Sequence, residues 1–78
     1  MPLLTREQIA GQFLDGAEKH FDAEITRLRG DVDNLLANSV GIDDHQRIDN
    51  ALMDLFTKLA AEEDQLETVR AYRKSRGL

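Results

Sequence analysis

The side chains best equipped for chemistry fall into three short clusters. His20 and Glu24 lie one helical turn apart with Asp15, Glu18 and Asp22 close by, a mixture of nitrogen and oxygen donors that a divalent metal can use. Di-metal sites in helical bundles pair a Glu with a His three residues later, and no Glu in this chain has that partner. Asp31-Val32-Asp33-Asn34 opens like a calcium loop, but Leu36 occupies the place where the loop needs its glycine. Ser39, His45 and either Asp43 or Asp44 supply the residue types of acyl transfer, yet nearness in sequence does not orient a nucleophile towards its base. The glycines are isolated and none follows a strand pattern, so no phosphate cradle is expected. These clusters therefore point away from an enzyme, and no catalytic, metal or cofactor residues are assigned.

The elements that would have to position such groups are far easier to read. Phe21, Ile25, Leu28, Val32 and Leu35 form one apolar ladder, and Ile48, Leu52, Leu55, Leu59, Leu66 and Val69 form a second, interrupted at Glu62. Steps of four and three residues put each ladder on a single helical stripe, close to the repeat that packs helices side by side. Asp31-Val32-Asp33-Asn34 sits inside the first ladder and reads as helix surface.

Local signals place the ends. Thr5-Arg6-Glu7-Gln8 has the form of a capping box, flanked by Leu4 and Ile9 in the positions of a hydrophobic staple. Asn38-Ser39-Val40-Gly41 reads as a stop. The expectation is an all-α antiparallel hairpin in one domain, with a helix over about 5–38, a turn over 39–42 and a helix over about 43–75, opened by Asp43 or Asp44 and ending before Gly77. Gly11, Gly16 and Gly30 interrupt the first arm, and a break near Gly16 would give three helices instead of two. Arms of about 50 Å each, at 1.5 Å per residue, favour the hairpin.

Charges on the outward positions support the register. Asp15 and Lys19, Arg27 and Asp31, Arg29 and Asp33, Asp43 and Arg47, and Asp54 and Lys58 are opposite charges four residues apart. Glu62 falls on the apolar stripe between Leu59 and Leu66, where a polar residue either fixes register and oligomeric state or turns outward with Glu63, Asp64 and Glu67.

A chain of 78 residues buries little of its own surface, and without cysteine no disulfide compensates. Phe13, Leu14, Leu36, Met53, Phe56 and Tyr72 widen the apolar face beyond what one partner helix covers. Pairing of two hairpins into a dimeric four-helix bundle is the expected assembly, with a complex with a different protein as its rival. Phe56 joins the two ladders as an expected interface or core residue.

The net charge of −5 is unevenly placed. Residues 43–67 carry two basic and eight acidic groups, whereas residues 68–78 carry four basic and none acidic. Arg70, Arg73, Lys74 and Arg76 would complement the carbonyls at a helix end, or offer a contact for an acidic partner, as Glu62 could for a partner of opposite charge. Only this tip is basic enough for phosphate, so direct DNA binding is the weakest reading, although Leu4–Gly11 could open a helix-turn-helix. No signal-peptide pattern or membrane-length apolar run occurs, giving a cytoplasmic expectation. Two binding functions remain: an adaptor or assembly component, and an acidic regulator that occupies a basic, nucleic-acid-binding surface of another protein.

Overall fold

The first helix begins where local chemistry can satisfy its unpaired amides. The Gln8 N–H donates to the Thr5 hydroxyl at 3.1 Å, and the Thr5 N–H donates to the Gln8 side-chain oxygen at 2.8 Å. This reciprocal pair closes a capping box and starts α1 at Arg6. The computed structural model describes residues 3–39 and 45–78. It contains two helices, α1 (Arg6–Asn38) and α2 (His45–Arg76), and no strand among the described residues. The turn expected over 39–42 lies outside the described residues from position 40 onward, as do the Asp43 or Asp44 cap and the Asp43–Arg47 pair.

α1 runs without a break through Gly11, Gly16 and Gly30, so the three-helix alternative does not form. A side-chain carbon added at any of these three would meet nothing within 4 Å. They do not mark close approach between the two arms. α1 stops at Asn38, where the sequence reads as a stop. Ser39 stays right-handed, at φ −78° and ψ −14°, and both its N–H and its hydroxyl donate to the Leu36 carbonyl, at 3.4 and 2.8 Å.

α2 ends on Gly77, whose φ of +70° is a conformation other residues adopt only with strain. Its N–H reaches the Lys74 carbonyl at 3.3 Å, and the Leu78 N–H reaches the Arg73 carbonyl at 2.9 Å. These two bonds satisfy carbonyls that the helix end leaves unpaired.

The two arms lie antiparallel and close on a thin seam. Ile25, Leu28, Val32, Leu59 and Leu66 are buried, Leu28 most completely at 2% exposure. Phe21 and Leu55 pack against the cluster that Ile25, Leu28, Leu59 and Leu66 form, while Leu35, Ile48, Leu52 and Val69 are half-buried. Phe56 stands apart from them, about half exposed. The molecule is a rod of 62 × 25 × 12 Å, and its thinnest dimension matches the diameter of one helix. Its radius of gyration is 18.1 Å, against about 11–12 Å for a compact domain of this length. Among the described residues, no helix is long and apolar enough to cross a membrane.

Candidate interaction surface

Both edges of the seam are lined by polar side chains, and on one edge these bind the helices together. Arg73 donates to Asp15 at 2.6 Å and lies 3.3 Å from Glu18. Arg70 lies 3.8 Å from Asp22, and Arg29 donates to Glu63 at 3.2 Å. Asp22 and Arg29 advance by seven residues along α1 while Arg70 and Glu63 retreat by seven along α2. These two pairs therefore share one antiparallel register, and Arg73 reaches Asp15 and Glu18 from the neighbouring apolar stripe. Asp22, Arg29, Glu63 and Arg70 enclose a shallow groove whose apolar floor is Ile25 and Leu66.

This ladder replaces two of the local pairs read from sequence. Arg27–Asp31 forms at 3.2 Å and Lys58–Asp54 at 2.9 Å, as the four-residue spacing predicts. Asp15 and Arg29 instead reach across to α2, because the hairpin brings an opposite charge to each from the facing helix.

The basic tip divides into two parts. Arg73 sits on the continuation of the apolar stripe, opposite Glu18, with its side chain only 20% exposed. Its guanidinium also donates to the Leu78 main-chain oxygen at 2.9 and 3.3 Å. Hydrogen bonding to Asp15, reinforced by the charges of Asp15 and Glu18, pushes its pKa further up. Arg70 joins Asp22 on the same edge. Lys74 and Arg76 remain exposed, and Arg76 lies over the Tyr72 ring at 5.4 Å from its centre.

Glu62 holds the position between Leu59 and Leu66 that the ladder assigned to it. The residue is half-buried, and its Oε2 is shielded from solvent with no hydrogen-bond partner. Its charge is one of those that raise the pKa of Arg27, where the hydrogen bond that Arg27 donates to Glu24 dominates. The same Arg27 hydrogen bond and charge hold Glu24 below the ordinary carboxylate range.

The clusters that could have done chemistry have structural partners. Asp15 and Glu18 face Arg73, Asp22 faces Arg70, and Glu24 faces Arg27. His20 packs edge-on against Phe21, with ring centres 5.4 Å apart. Among the described residues no group of three or more His, Asp or Glu is placed to hold a metal ion. Ser39 caps α1, His45 opens α2, and Asp43 and Asp44 lie outside the described residues.

The remaining surface feature is apolar. Leu36 and Phe56 are each 48% exposed, Met53 67% and Phe13 76%, and Tyr72 is about half exposed, whereas Leu14 is half-buried. Leu4 and Ile9, the staple positions, are about half exposed as well. The cross-helix pairs were missed in sequence although a signal existed: Asp15, Asp22 and Arg29 repeat every seven residues beside the first ladder, and Glu63 and Arg70 do so beside the second. No known protein family, curated protein or solved structure matches this chain.

Proposed function

We propose that this chain is a non-enzymatic protein–protein interaction module that acts as an adaptor or assembly component, and that its hairpins pair into a dimeric four-helix bundle. One observation carries the reading: the isolated hairpin leaves too much surface in water. Its accessible area is 6264 Å² for a mass of 8.8 kDa. A folded monomer of that mass exposes about 4,800 Å². The excess, roughly 1,500 Å² per chain, falls within the roughly 1,000–2,500 Å² that each partner contributes to an obligate homodimer interface. Domains generally bury the apolar stripe of a helix between two layers, and this hairpin is one layer thick.

A second reading rests on the distribution of charge. Residues 21–67 carry four basic and twelve acidic groups, and the rest of the chain six and three. Such an acidic body suits a regulator that occupies a basic surface of another protein. The two readings respond oppositely to salt, because screening weakens a charge-driven contact and spares an apolar one.

The test is the concentration dependence of thermal unfolding. Only the folded state of a dimer associates, so its melting temperature rises as protein concentration increases from micromolar to hundreds of micromolar. That rise is the expected result and should persist at high salt. A cooperative melt with a fixed midpoint over the whole range would identify a stable monomer and overturn the proposal.

A further inference from the structure

The edge that carries the Asp22–Arg70 and Arg29–Glu63 pairs also carries a pattern beyond hairpin closure. Asp22 and Arg29 follow each other along α1, with Arg70 and Glu63 facing them on α2. Four charges thus form a checkerboard over the Ile25 and Leu66 floor. A checkerboard is complementary to itself: when a second copy is turned over onto this face, by a two-fold axis along the rod or across it, every charge meets its opposite.

The two ends of the face differ. One heptad beyond the checkerboard towards the turn, the same stripes carry Leu36 and Phe56, both 48% exposed, with Met53 one turn from Phe56. Towards the other end they carry Gly77 and Asp15, the latter held by Arg73 from the apolar stripe. A two-fold axis along the rod lays the Leu36 and Phe56 patch onto its own copy. An axis across the rod lays it onto Asp15 and Gly77.

We infer that a second copy of this chain packs on this face with both turns at the same end, α1 of each lying over α2 of the other. The inference rests on the self-association proposed above and adds the surface and the orientation. Opposite turns would bring the acidic region nearer the basic tip. That attraction acts between exposed charges, which are screened beyond about 8 Å at physiological ionic strength and are worth little as surface pairs. Removing half-exposed Leu and Phe side chains from water on both copies is the larger effect.

Sedimentation equilibrium on the full chain and three variants tests this. Phe56→Glu should weaken dimerisation by roughly 100-fold or more, the loss expected for a central apolar anchor. Phe13→Glu is a control, since Phe13 lies two residues and so about 200° of helix away from Asp15, on the other side of α1. It should stay within about threefold of the parent, as expected away from the interface core. The double exchange Arg29→Glu with Glu63→Arg keeps the net charge and an ion pair across the hairpin. With both turns at one end the exchanged charges still meet opposites, so dimerisation should again stay within about threefold. With turns opposed, Asp22 would meet Glu and Arg70 would meet Arg, and the dimer would dissociate.

Loss of the dimer in the double exchange would overturn the orientation. Dissociation by Phe13→Glu, or a parent-like Phe56→Glu, would overturn the choice of face. A parent chain that is itself monomeric at every concentration would instead remove the self-association on which the inference stands. Should Phe56→Glu lose its helicity, Leu36→Glu in the same patch reads the contact in its place, with dissociation expected and a parent-like dimer contradicting the face.

Discussion

Glu62 and Arg73 are two charged residues on stripes that otherwise hold apolar side chains, and the structure treats them differently. Arg73 meets Asp15, Glu18 and a main-chain oxygen, so its charge enters the seam fully partnered. Glu62 has one carboxylate oxygen shielded and unbonded. A buried acceptor without a donor costs on the order of 1–3 kcal/mol, and more when charged. Glu62→Leu should therefore raise the melting temperature, and the retained mass in solution would show whether Glu62 also sets oligomeric state. An unchanged melt would mean that the carboxylate is hydrated and that its position on the stripe has no energetic consequence. Arg73 shows why part of this was not legible in sequence. A ladder traced through apolar residues stops at Val69, and nothing local reveals that a charged pair with Glu18 continues the same packing.

At the scale of the elements, sequence was most informative where the governing interaction is local. The Thr5 and Gln8 box joins residues three apart and forms as the residue types require. The apolar ladders were legible because a repeat survives any uncertainty about the turn. The partners of Asp15 and Arg29 were not, because they depend on the register between helices, which the turn sets. Glycines divide along the same line. Gly16 is an ordinary helical position with open space around it, so Gly16→Ala should stabilise α1 by about 1 kcal/mol through helix propensity alone. Gly77→Ala places a side chain at a φ of +70° and should cost about 1–2 kcal/mol. Chemical denaturation of the two variants checks both signs. Destabilisation by Gly16→Ala would show that α1 meets a neighbour there in the assembled protein.

The whole molecule is governed by the mismatch between its length and its thickness. Two arms of about 50 Å can zip along one stripe each, but a single layer leaves the flanks of both stripes in water. Among the described residues five are buried along the seam, and Phe56, Leu36 and Met53 stand beside it in exposed positions. A fold with its second layer in the same chain would have hidden them. The central claim is that this layer comes from another copy of the hairpin, and the most direct measurement is the solution mass by sedimentation equilibrium from about 1 to 100 μM, a range that brackets micromolar association. A hairpin dimer gives twice the chain mass of 8.8 kDa at the upper concentrations, with the same mass at high salt. A mass of one chain across the range, from protein that remains fully helical, would contradict it.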